Sequence, residues 1–164
     1  MVIDSQQRIV VGGNQIGDVA IEFIYKKSIQ GLPLKEKVVK TGYLKIATPE
    51  LLAMDLFLYP RKCGGLNHIA TVLSELIEEI HLAKFKSFCK KSKQNFWMQR
   101  MGYILDSIDP MEEEKKEDIM KILEDVLKTR KTYFTPIEPA VKHKGANRNK
   151  KWKIIENATV ESDV

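Results

Sequence analysis

Residues 142–153 carry six cations, Lys142, Lys144, Arg148, Lys150, Lys151 and Lys153, with no acid among them and Trp152 inside the run. Clustered lysines and arginines neutralise phosphates, and an aromatic ring offers a base a stacking surface, so the pattern suits nucleic-acid binding. A plainer reading fits the same residues. Residues 145–147 would make a turn, and KWKII would run as a strand with Trp152 and Ile154 on its buried face. The lysines would then keep an edge strand soluble. Composition leaves the two readings level.

Other groups offer less. In RKCGGLN (61–67), Arg61 and Lys62 precede a glycine pair that opens a helix. Exposed N–H groups there could hold a phosphate. A tight interhelical turn with glycine at positive φ is the favoured reading, because no strand precedes the pair and no P-loop lysine follows it. His68, at the start of that helix, could act as a base, but a packing or capping role is simpler. His81 and His143 have no cysteine or acid at metal-ligand spacing. Glu112, Glu113 and Glu114 are consecutive on a helix, so they diverge instead of converging on an ion. Trp97, Met101, Ile104 and Leu105 recur at helical spacing and read as core. The sequence has no Walker-type phosphate loop, nucleophile elbow, H-E-x-x-H pair or EF-hand loop, so neither an enzyme nor a cofactor is expected.

The chain is 164 residues long, 43% hydrophobic and 30% charged, which are the values of a folded domain with a real core. One domain over 1–164 is the simplest expectation. The net charge of +5 is compatible with an acidic partner without requiring one. Cys63 and Cys89 are isolated, so no disulfide framework or zinc site is expected. The start MVIDSQQRIVV lacks the basic-then-apolar pattern of a signal peptide, and no apolar run reaches membrane-spanning length. These features point to a reducing, cytoplasmic location with no membrane contact.

The elements that must position these groups follow from periodicity. Residues 1–46 are strand-rich: RIVV (8–11) and VAIEFIY (19–25) flank the glycines of GGNQIG, and EKVVK (36–40) and YLKI (43–46) flank a tight turn at Thr41 and Gly42. Alternation in VAIEFIY predicts a half-buried antiparallel sheet. Residues 48–131 are helical. Thr48 can cap a helix with Pro49 in its first position, and Pro60 stops it. LNHIATVLSELIEEI follows the glycines with Leu66, Ile69, Leu73, Leu76, Ile77 and Ile80 on one face. HLAKFKSFCKKSK, NFWMQRMGYILDSI and MEEEKKEDIMKILEDVLKTR complete about five helices, the last entered through Asp109 and Pro110. Residues 132–164 form the strand-bearing basic tail. Strands and helices are segregated, so the fold class is α+β, with the C-terminal strands returning to the N-terminal sheet.

Three blocks in order carry a family resemblance: YLKIATPELLAMDLFLYPRKCGGLNHIATVLSELIEEI (43–80), WMQRMGYILDSI (97–108) and KGANRNKKWKIIEN (144–157). Together they resemble the C-terminal domain of AbiEi-type antitoxins over roughly residues 8–164. Gln99, Arg100, Gly102 and Tyr103 stand at the family's Q-R-x-G-Y element, and Asn147, Arg148, Asn149 and Trp152 stand in the block before the last strand. The resemblance implies an antitoxin of a bacterial type IV toxin–antitoxin, or abortive-infection, system that opposes a nucleotidyltransferase-like toxin without forming a stable complex. Typical members also regulate their own transcription through an N-terminal winged helix. None is expected in this sequence, because nothing before Pro49 reads as a recognition helix. The alternative is a stand-alone nucleic-acid-binding module without a toxin. The expected interaction surface comprises Arg61, Lys62, Arg100, Lys142, Lys144, Arg148, Lys150, Lys151 and Lys153, with weak, salt-sensitive nucleic-acid binding at most. In this light the basic run becomes a turn and last strand, with Trp152 packed inward and the lysines on the outer face.

Overall fold

The computed structural model describes residues 2–3, 15–16, 19–20, 24–26, 29–108 and 113–160. The RIVV strand (8–11) and the Asp109–Pro110 helix entry lie outside these residues. The chain divides into two compact units, residues 1–48 and 49–164. The division falls where the sequence pattern changes from strand to helix.

In the first unit, β1 (Val2–Ile3) pairs in parallel with β4 (Ile24–Tyr25), and β2 (Gln15–Ile16) pairs antiparallel with β3 (Val19–Ala20). The parallel pair departs from the antiparallel expectation, since a two-residue bridge leaves no periodic signal. The expected hairpin is present: β5 (Leu34–Val39) and β6 (Gly42–Ala47) run antiparallel with Val39 opposite Gly42. Gly42 has φ +133, open only to glycine at little cost, so the turn it closes is set locally. The half-buried alternation expected of VAIEFIY centres on residues 21–23, which lie outside the described residues, and the hairpin is largely exposed. Leu34, Ile46 and Ala47 are partly covered, and the rest, including the opposed pair Val38 and Tyr43, is exposed.

The second unit holds, among its described residues, five α-helices and a small sheet. α1 (Pro49–Leu58) consists mostly of strong helix formers, Leu, Ala, Met and Glu, and buries Leu51, Ala53, Leu56 and Phe57. Thr48 does not cap it through its side chain: Oγ1 is shielded and makes no hydrogen bond. Glu50, 3% exposed, accepts the backbone N–H of His81 at 3.1 Å instead. A short 3-10 helix (Pro60–Cys63) leads into Gly64 and Gly65, at φ +78 and +86, so the turn reading of the glycine pair holds. α2 (Gly65–Glu79) buries Leu66, Ile69, Leu73 and Ile77 and turns Glu75, Glu78 and Glu79 to solvent. α3 (Leu82–Lys91) inserts Phe85 and Cys89. α4 (Phe96–Ser107) is the most enclosed helix, with Trp97, Met98, Met101, Ile104 and Leu105 fully buried. α5 (Glu113–Lys128) contributes Ile119, Leu123 and Val126.

Arg130, just past α5, donates to the carbonyls of Cys89 (2.9 Å), Lys90 (2.8 Å) and Ser92 (2.7 Å) and to Asn95 Oδ1 (3.0 Å). One guanidinium thereby satisfies carbonyls at and just past the end of α3 and ties α5 to the α3–α4 turn.

The sheet has the order β7–β9–β8, with β7 (Thr135–Pro136) parallel and β8 (Asn147–Asn149) antiparallel to the central β9 (Ile154–Glu156). The class is α+β, as expected. The last strands do not rejoin the N-terminal ones, however: among the described residues they pair only with each other. KWKII is also not one strand. Residues 150–153 form the turn of the β8–β9 hairpin, closed by Asn149 Oδ1 accepting the Trp152 N–H at 3.0 Å.

Candidate functional site

Positions 99, 102, 103 and 106 share one face of α4, by helical geometry, and position 100 borders it. That face meets the C-terminal sheet. Gln99 Nε2 approaches three carbonyls, of Tyr133 (2.9 Å), Trp152 (3.1 Å) and Lys153 (3.3 Å). Arg100 Nε donates to Pro136 O at 3.0 Å, and its guanidinium lies 5.0 Å from the Phe96 ring centroid. Gly102 lies against the Trp152 ring. Asp106 accepts the Trp152 indole N–H at 2.7 Å and Lys151 Nζ at 2.8 Å. Burial raises the Tyr103 hydroxyl above its ordinary pKa, as do the charge of Glu156 and the hydrogen bond to it.

This geometry relocates Arg100. It was expected on an interaction surface, but it is 6% exposed and its bonds end on backbone and on Thr135 Oγ1. Burial lowers its pKa from the ordinary arginine value, with Glu138 opposing that shift. Its role is to clamp the sheet to α4. Trp152, 1% exposed, packs inward as expected.

The other expected cations fall into separate places. Arg61 and Lys62, both exposed, edge a shallow hollow of about 460 Å³ with Tyr59, Pro60, Glu138 and Pro139. Lys151 and Lys153 edge a cleft of about 360 Å³ beside Gln99, Glu124 and Trp152. Both lysines are engaged: Lys151 with Asp106 and, at 3.7 Å, Glu124, and Lys153 with the Thr132 carbonyl at 3.3 Å. They sit on the hairpin turn, not on a strand's outer face, because the strand begins only at Ile154. Lys150 is exposed on the same turn.

Lys142, Lys144 and Arg148 come together. With His143, Gly145 and Ala146 they surround a concavity of about 630 Å³ that reaches Ile155. Gly145 at φ +82 turns the chain back onto β8, which brings the three cations to one hollow. Sequence reading missed Phe134, which is 38% exposed and lies beneath the Arg148 guanidinium at 5.2 Å. Its signal was the TYFT segment, whose two adjacent aromatics exceed what a short extended connection needs. Tyr133, 67% exposed, has Lys131 Nζ 5.4 Å from its ring.

Among the described residues, no group of three histidines, cysteines or acids is placed to hold a metal ion, and no helix is long and apolar enough to cross a membrane. A family model described as the AbiEi antitoxin C-terminal domain matches residues 1–107. No curated protein and no solved structure matches the chain. The matched range ends with the last residue of α4, so the helix that grips the C-terminal sheet lies within it and the sheet lies beyond.

Proposed function

Because the chain belongs to the AbiEi antitoxin C-terminal domain family, we propose that it is the antitoxin of a bacterial type IV abortive-infection system and opposes a nucleotidyltransferase-like toxin without catalysis. An antitoxin role, with a toxin as functional partner, follows from the family. The toxin's chemistry, a cytoplasmic location and a share in transcriptional autoregulation alongside a winged-helix domain are our reading beyond it. The family match carries this reading.

The working surface we assign is Lys142, Lys144 and Arg148 around their shared hollow, with Lys150 nearby in sequence. It would bind nucleic acid weakly and largely through charge. Co-expression with the nucleotidyltransferase-like toxin tests the antitoxin reading: the chain restores growth, and a toxin unaffected by it overturns the reading. Lys142→Glu, Lys144→Glu and Lys150→Glu together should abolish rescue, since these side chains make no bond within the described fold. Full rescue by this variant would move the working surface elsewhere. Tight, sequence-selective DNA binding without rescue would favour a stand-alone nucleic-acid-binding module.

A further inference from the structure

We infer that the hollow beside β8 binds single-stranded nucleic acid, with a base stacked on the Arg148–Phe134 pair and its flanking phosphates held by Lys142 and Lys144. This rests on the nucleic-acid part of the reading above and narrows it from charge to strand type.

Three observations carry it. The lining of the hollow is basic and contains no acid: Lys142, His143, Lys144 and Arg148 surround two small residues, Gly145 and Ala146, and the apolar Ile155. An apolar floor within a cationic rim suits a base with phosphates on either side, whereas a double-helical backbone presents phosphates alone. Next, Arg148 is not extended into solvent as a lone charge. Its guanidinium lies over the Phe134 ring, 5.2 Å from the centroid, and Arg148 is exposed, so a base can stack on the outer side of the pair. Finally, β8 is an edge strand of its sheet, and Arg148 lies directly opposite the 8%-exposed Ile155 in the register. The stacking platform is therefore fixed by the sheet and loses little freedom on binding.

Fluorescence anisotropy at low salt, with a short labelled oligothymidylate and a duplex of equal length, tests the inference. The wild-type chain should prefer the single strand. Phe134→Leu keeps apolar volume without the ring, and Arg148→Lys keeps the charge without the plane. Each should weaken single-strand binding about tenfold, within the range of one lost stack, and Phe134→Leu, which removes no charge from the hollow, should leave duplex binding unchanged. Circular dichroism melting checks that both variants fold, and Lys142→Glu gives a second route that leaves the hairpin and its aromatic intact. Equal affinity for both strand types, or wild-type binding by the two charge-preserving variants, overturns the inference and leaves the charge reading standing. No binding to either probe overturns both. Rescue from the toxin is read separately and depends on neither result.

Discussion

Gly102 and Trp152 interlock: a Cβ on Gly102 would lie 2.3 Å from Cε3 and Cζ3 of the Trp152 ring. The glycine is in a helix interior, where alanine would ordinarily be favoured by about 1 kcal/mol. It persists where the indole of the C-terminal hairpin crosses α4 in direct contact. The requirement for glycine at 102 therefore comes from a residue fifty positions downstream in the chain.

Gly102→Ala sets two effects against each other. The propensity gain of about 1 kcal/mol opposes overpacking against a rigid, buried ring, which costs about 1–3 kcal/mol or more. The ring has no flexible end to yield, so overpacking wins. Urea unfolding should show a net loss, reaching about 2 kcal/mol at the upper end of the overpacking range. Adding Trp152→Leu should cost less in the alanine background than in the wild type. A stabilised Gly102→Ala protein would disprove the interlock.

How much of this was readable in advance depends on how far each partner lies along the chain. Helix positions came through because Leu66, Ile69, Leu73 and Ile77 report their own burial by periodicity. Gln99 and Arg100 did not, because their partners lie 34 to 54 residues further along and a buried polar side chain looks like a surface one until its acceptors are known. Arg100 was therefore assigned to the outside. The basic run was half legible: Trp152 was read as inward-facing, but Asn149 closes a turn over 150–153 and moves the strand downstream. The concavity at Lys142, Lys144 and Arg148 needed the three-dimensional path of the loop.

Gln99→Glu replaces an amide that donates to carbonyls with a carboxylate pointed at the oxygens of Tyr133, Trp152 and Lys153. At neutral pH the variant should lose at least about 2 kcal/mol, as a buried charge without donors. Burial and the facing carbonyls would raise this carboxyl's folded pKa above its unfolded value of about 4.3. The protonated form then supports the fold, so the deficit should be smallest below about pH 4.3 and grow as pH rises through the raised value. A deficit that does not change with pH would show that the side chain has swung to solvent.

Cys89 gives an alkaline signature. Burial pushes its thiol up from 9.0 to about 12, with Arg130 pulling the other way. A group raised in the folded state stabilises fully below its unfolded value and loses that contribution as pH climbs towards the folded one. Stability should therefore fall between pH 9.0 and about 12, by at most about 1.4 kcal/mol per pH unit from this residue. Cys89→Ala should be less stable at neutral pH because of the small cavity, yet show a shallower alkaline decline. Parallel urea-unfolding slopes for the two proteins above pH 9.0 would remove Cys89 as the source.

Asp106 separates an ion pair from a hydrogen bond within one side chain. Its two oxygens serve Lys151 Nζ at 2.8 Å and the Trp152 indole at 2.7 Å. The Lys151 side chain is 46% exposed and that of Asp106 33%, so the ionic part is screened and worth about 0–1 kcal/mol. The indole N–H belongs to a ring buried to 1% and loses its acceptor if the side chain is removed, a cost of about 1–2 kcal/mol. Asp106→Asn keeps an acceptor and should cost under about 1 kcal/mol, whereas Asp106→Ala should cost more. Added salt should narrow the gap between wild type and Asn while leaving the gap between Asn and Ala in place, because only the former is ionic. Urea unfolding at low and high salt, followed by Trp fluorescence, reads both gaps. Equal losses for Asn and Ala would mean that the ion pair, not the indole bond, holds the hairpin to α4.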